Sequence, residues 1–202
     1  MTREDQKRDR EQAVSPVVGV MLMLVVVIII AAVVSAFAGG IAGGQKKVPQ
    51  AAIQAEFSIT SGMEIRHAGG DPLPMNDLEV VIWDGPTFGP NVEQSTKQVL
   101  DMAIMKDKSG NPIKTSTGAF NRTALISGDT LTISASDCEC DVLQPNIAPS
   151  DYVSGSSSYA GTETSHWGLC IKNANNIGKE FVVSVGDRNG NLIALTNVKV
   201  KG

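Results

Sequence analysis

The chain has 202 residues, enough for one ordinary domain and a further segment, with 17 basic against 21 acidic side chains and a formal net charge of −4. That balance offers no polybasic face and excludes nucleic acid as a main partner. Positions 13–44 hold no charge and 24 of these 32 residues are apolar, which excludes a wholly cytosolic enzyme as the default.

Residues 1–13 form a charged leader. Within the apolar block, residues 14–38 run for about 37 Å as a helix, enough to cross a bilayer core of about 30 Å. Consecutive Val and Ile would favour a strand in water, but lipid requires a spanning segment to satisfy its own backbone, which selects helix. Ser15 and Pro16 suit an N-cap and a first helical position. Arg3, Lys7, Arg8 and Arg10 precede the run and only Lys46 and Lys47 come after it, so the N-terminus is expected inside and residues 45–202 outside. A secretory signal peptide competes, since Ala36 and Ala38 form a small-residue cleavage pattern, but its apolar core is shorter than this one.

The segment Gln12-Ala13-Val14-Ser15-Pro16-Val17-Val18-Gly19-Val20, entered from a short charged leader and running straight into a long apolar helix, resembles the archaeal type IV pilins with their class III signal peptides. The likeness is strongest over residues 10–44 and continues more weakly through Ile65-Arg-His-Ala-Gly-Gly-Asp-Pro-Leu-Pro74 and the closing strand. It implies that a prepilin peptidase cuts between Ala13 and Val14, within one or two positions, because Gln12 stands where a basic residue is common. It further implies self-assembly into a homopolymeric filament, with an assembly ATPase and a polytopic membrane platform protein as partners and the membrane as host before assembly. Bacterial pilins usually keep an acidic residue near the start of the mature helix. None stands here between Glu11 and Glu56, so assembly must rest on apolar packing. Gly39, Gly40, Gly43 and Gly44 read as the helix end, leaving the head some freedom to swing.

After a linker at 45–50, residues 51–202 read as strands. Positions 51–60 alternate, 78–83 make a short strand closed by Asp84-Gly-Pro86, and 130–134 alternate after Ser127-Gly-Asp129. The clearest hairpin joins 180–185 to 192–200 around Asp187-Arg-Asn-Gly-Asn191, with Asn189-Gly190 as a primed-turn signal. Residues 144–165, rich in Ser, Gly, Pro and Thr, read as a long exposed loop. The expected fold class is α+β: a long N-terminal apolar helix (14–44) and an antiparallel β-sandwich-like head displayed outside the cell.

Cys138, Cys140 and Cys170 are the nearest thing to a site. Outside the cell a disulfide from Cys170 to one of the other two is reasonable, stapling 137–141 to a strand at 168–171. Three reduced thiols, or a metal set completed by His166 or Asp141, stay open. Asp137, Glu139 and Asp141 would share one face of a strand, more often a solvated surface than a Ca²⁺ site. Asp187-Arg-Asn-Gly-Asn191 and Asp107-Lys-Ser-Gly-Asn111 lack calcium-loop spacing and read as turns. Asn121-Arg-Thr123 is the one N-glycosylation sequon, with Asn121 the acceptor. His67 and His166 read as structural or surface groups, and Trp83 and Trp167 as core. No residue pattern marks a catalytic centre or a cofactor fingerprint. The reading is therefore a structural filament subunit that displays its head for adhesion. A minor, priming subunit and a single-pass membrane-anchored surface binding protein are its rivals.

Overall fold

A computed structural model describes residues 3–42, 47–156 and 158–202, in two compact units, Met1–Lys47 and Val48–Gly202. Gly43, Gly44 and the linker positions 45 and 46 lie outside the described residues.

The first unit is helix α1, Arg3–Ala42, whose 40 residues extend about 60 Å. Val17–Ala38 is long and apolar enough to cross a membrane. The helix runs through Ser15 and Pro16 rather than starting there, which corrects the expected N-cap. The Glu, Gln, Lys and Arg residues that precede the apolar run are good helix formers.

The second unit is the head. Its strands are β1 (Ala51–Ser58), β2 (Gly62–Gly70), β3 (Leu73–Pro74), β4 (Leu78–Asp84), β5 (Gln98–Val99), β6 (Lys106–Asp107), β7 (Ala124–Leu125), β8 (Thr130–Ser134), β9 (Glu180–Asp187) and β10 (Leu192–Lys201). Eight of them form one sheet in the order β5-β4-β9-β10-β1-β2-β8-β6, while β3 and β7 pair separately. Every pairing is antiparallel except β1 with β10, which run parallel with Phe57 opposite Val200. Alternate residues of both halves feed one core: Val80 and Ile82 from β4, Phe181 and Val183 from β9, Met63 and Ile65 from β2, Leu131 and Ile133 from β8. The sheet therefore curls around this one core, a mostly antiparallel arrangement that fits the α+β expectation. Phe57 of β1 and Phe181 of β9 meet edge to face at 5.6 Å inside this core.

The β9–β10 hairpin is present, but its turn differs from the expected primed type. Gly190 donates to the Asp187 carbonyl and alone of the loop residues has a positive φ, +84°. That is a type I turn closed by a left-handed glycine, giving a three-residue loop. The Asp187 carboxylate selects it by accepting from the amides of Asn189 and Asn191 and from Asn191 Nδ2.

Candidate functional site

Two regions carry the features that bear on function, and each is described within its own unit. On α1, every residue from 17 to 38 is exposed. A helix apolar on all sides is stable only where lipid or other helices surround it. Ala13 and Val14, the expected cut positions, lie on this helix, and their side chains lie outside the described residues.

On the head, Cys140 is bonded to Cys170, with Cα atoms 5.6 Å apart, and Cys138 is a buried free thiol. The disulfide takes two of the three sulfurs that a three-cysteine metal set needs, and His166 is exposed, with Nδ1 3.5 Å from Glu163. Burial pushes the Cys138 thiol up to about 12, with a hydrogen bond to the Met63 backbone opposing it.

The segment around Cys138 is not a strand. Asp137 closes a turn, and Cys140 opens a single helical turn, Cys140–Leu143. The residues at 168–171 also form a turn rather than the expected strand. The acidic trio consequently splits among three environments, which corrects the shared-face expectation. Asp137 pairs with Lys106 at 3.3 Å, and the Ser134 hydroxyl is the chief group holding its carboxyl below the usual range. Asp141 is exposed and receives the Ser154 hydroxyl at 2.7 Å. Glu139 is buried, with Lys172 at 3.1 Å on Oε1 and the Tyr152 hydroxyl on Oε2. Burial alone would raise the Glu139 carboxyl, but the Tyr152 and Lys172 donors, the Gly155 backbone and the Lys172 charge together bring the net shift downward. Lys172 is itself buried and spends its ammonium on Glu139 and the carbonyls of Ile59 and Ala135.

The described residues of 144–165 are mostly exposed loop, as expected, and the loop is anchored where Tyr152 and Tyr159 meet Trp167. Trp167 is buried beside the disulfide, stacked on Tyr152 at 5.4 Å and tilted against Tyr159 at 5.9 Å. The turn that carries Trp167 and Cys170 has no neighbouring strand, so its buried backbone must find other partners. Three amide side chains provide them. Gln144 accepts from Ile171 N at 2.8 Å, Asn173 donates to the Trp167 carbonyl at 3.0 Å, and Asn176 donates to the carbonyls of Gly168 and Cys170 at 3.0 and 2.8 Å. Beside this framework lies an open pocket of about 510 Å³ with Tyr159, Trp167, Asn175 and Asn176 among its lining residues. Sequence reasoning missed Gln144, Lys172, Asn173 and Asn176. The one available signal was the run Asn173-Ala-Asn-Asn176 directly after a cysteine turn.

The remaining singled-out residues lie apart. Trp83 stands half-exposed on the outer face of β4 with the Lys97 ammonium 6.0 Å from its ring, so it is not core. Its neighbours Ile82 and Asp84 point inward, and strand alternation puts Trp83 on the other side. His67 is fully buried, with Nε2 3.0 Å from the Asp71 carbonyl. Asn121 is exposed and its Nδ2 donates to the Pro112 carbonyl at 2.7 Å. Asp107 is wrapped by the Ser109 and Asn111 amides in the same way as Asp187, so both motifs are turns. Among the described residues, no group of three His, Cys, Asp or Glu side chains suits a metal ion.

No curated protein and no solved structure matches the chain. Residues 12–53 do match the family model described as archaeal type IV pilin, N-terminal. Over that stretch, from the start of the apolar helix into β1, the chain is similar to the N-terminal domain of archaeal type IV pilins.

Proposed function

We propose that the chain is the precursor of a structural subunit of an extracellular archaeal type IV pilus-like filament. A prepilin peptidase cuts between Ala13 and Val14, the helix from about 14 to 44 packs with its copies as the filament core, and the head of 51–202 lies outside and adheres to surfaces. An assembly ATPase and a polytopic platform protein drive the transfer from bilayer to filament, because that transfer exchanges one apolar environment for another and releases little free energy by itself. The precursor sits in the cell membrane with its N-terminus in the cytoplasm. The chemistry is assembly, not catalysis. Asn121, exposed on the head, is the acceptor for N-glycosylation.

The observation that carries this reading is the coincidence of the pilin match at 12–53 with a helix whose residues 17–38 are all uncovered in the single chain. Such a family has a structural role, and it implies self-assembly with the general pilus machinery. The test is the N-terminal peptide and intact mass of the protein in filaments sheared from native cells. A chain starting at or next to Val14 in an abundant filament fraction is the expected result. A chain that keeps its leader and stays with the membrane overturns the reading in favour of an anchored binding protein.

A further inference from the structure

We propose that the outer face of β5, β4, β9 and β10 is a pairing surface for a second copy of the head, joining heads displayed on separate filaments or separate cells. This goes beyond assembly through the apolar helix. A helical filament repeats one head-to-tail contact, whereas this face is complementary to itself about a two-fold axis.

The strand register builds the face. Val99 of β5 lies opposite Val81 of β4, Val81 opposite Ser184 of β9, and Ser184 opposite Leu195 of β10. These four side chains form one row on the side of the sheet away from the core, which takes the alternate positions Val80, Ile82, Val183 and Val185. Val99 and Leu195, at the two ends of the row, are 49% and 52% exposed, and nearby Leu192 is 59% exposed. Among the described residues, seven large apolar side chains are exposed on the head, and these are three of them. Their clustering on one face is the mark of a contact surface rather than of scattered exposure. Between Trp83 and Leu192 the small residues Ser184 and Gly186 leave a shallow trough of about 290 Å³.

The charges around the row name the occupant. Glu79 stands two residues before Val81 on the same face. Lys97 stands on the other side of the row, its ammonium 6.0 Å from the Trp83 ring. Among the described residues neither makes an ion pair. A two-fold axis along the row lays the apolar side chains on their own counterparts and sets Glu79 of each copy beside Lys97 of the other. Two ion pairs then flank an apolar centre, and the troughs leave room for the opposing Trp83 rings. A partner of one charge sign would meet a like charge at one end of the row. Four strands about 4.8 Å apart make a face only about 20 Å wide, so one pairing buries less than the roughly 1,600 Å² of a standard interface. Its strength comes from many heads engaging at once.

The test uses phosphatidylcholine vesicles that each carry many copies of the full-length chain, with tethering between vesicles followed by light scattering. Native-chain vesicles should tether. Leu195→Glu should slow tethering at least about tenfold, while Val153→Glu, exposed on the loop of 144–165, should leave it unchanged. Vesicles bearing Glu79→Lys and vesicles bearing Lys97→Glu should each stay apart alone and tether when the two are mixed, because only the mixture restores opposite charges across the contact. Mixed vesicles that stay apart overturn the proposal. So does an absence of tethering by the native chain, or a loss that Leu195→Glu and Val153→Glu share. The helix stays in lipid throughout, so the outcome does not depend on filament formation, and failure of the filament reading would appear only in the N-terminal mass.

Discussion

Gln144 donates from Nε2 to Asp84 Oδ1 over 3.0 Å, joining positions 60 residues apart, while its Oε1 receives the Ile171 amide. One amide side chain thereby ties the end of β4 to the disulfide turn. The other Asp84 oxygen is buried without a partner. Burial pushes the Asp84 carboxyl up to about 7, against the opposing effects of the Gln144 hydrogen bond and the Lys179 charge.

That upward shift makes the head less stable at higher pH. Between about pH 4 and pH 7 the folded chain keeps the Asp84 proton that the unfolded chain has lost, so this group's contribution to stability falls as pH rises through that window and is flat above it. A rise from 3.8 to about 7 corresponds to at most about 4 kcal/mol. Asp84→Asn should remove the loss, melting above the native chain at pH 8 and no higher than it at pH 4. Parallel melting curves for the two proteins across this range would sink the assignment.

The disulfide closes a sequence separation of 30 residues. Cys170→Ser should therefore lower stability by about 3–4 kcal/mol in denaturant titrations. Cys138 should stay unalkylated by iodoacetamide at pH 8 while the head is folded, since almost no thiolate exists there. Mass spectrometry should find a single modified cysteine only after unfolding. Rapid native labelling would contradict the buried placement.

Glu139 and Lys172 form a buried ion pair whose remaining polar atoms are also used. Lys172→Met leaves a buried carboxylate uncompensated and should cost about 3–5 kcal/mol. Adding Glu139→Gln should restore part of the loss, measured as a coupling in a double-mutant cycle. Additive effects would mean that the two side chains are independent.

Gly62, the first residue of β2, has φ +96°, and a Cβ there would lie 2.1 Å from the Ile133 carbonyl oxygen of β8. Gly62→Ala should destabilise the head by more than about 1 kcal/mol, because strain and clash act together. The neighbouring control Ser61→Ala removes no core contact and should change stability by less than about half as much. Equal melting of both variants would show that the close approach is absent.

The local features were legible because their causes are local. The strand at 78–83 shows as a short apolar run closed by turn residues, that at 130–134 as alternation within a few residues, and the Asp107 and Asp187 turns hold their own carboxylates. The hairpin of β9 and β10 was legible too, although its turn type depended on where the Asp187 side chain bonded. The segment at 168–171 differs from the strand expected there because its buried backbone is satisfied by side-chain amides and not by a neighbouring strand. Strand β2 reads poorly because His67 takes an inward position where alternation calls for an apolar residue, and its identity rests on pairing with β1 and β8. The turn at 168–171 depends on Gln144, Asn173 and Asn176, which resemble surface residues until the chain is folded.

The order of amino acids is enough to specify the membrane-length helix, since hydrophobicity and the backbone's need for internal bonds leave a span of that length no other structure. It also carries the resemblance that the match over residues 12–53 bears out, and the β-rich character of the head. Three outcomes were settled in the folded head alone. Its first and last strands lie side by side in parallel, Cys140 rather than Cys138 meets Cys170, and Gln144 bridges Asp84 and Ile171. They depend on contacts between distant positions competing for one core, and no local pattern in a single chain encodes which competitor wins.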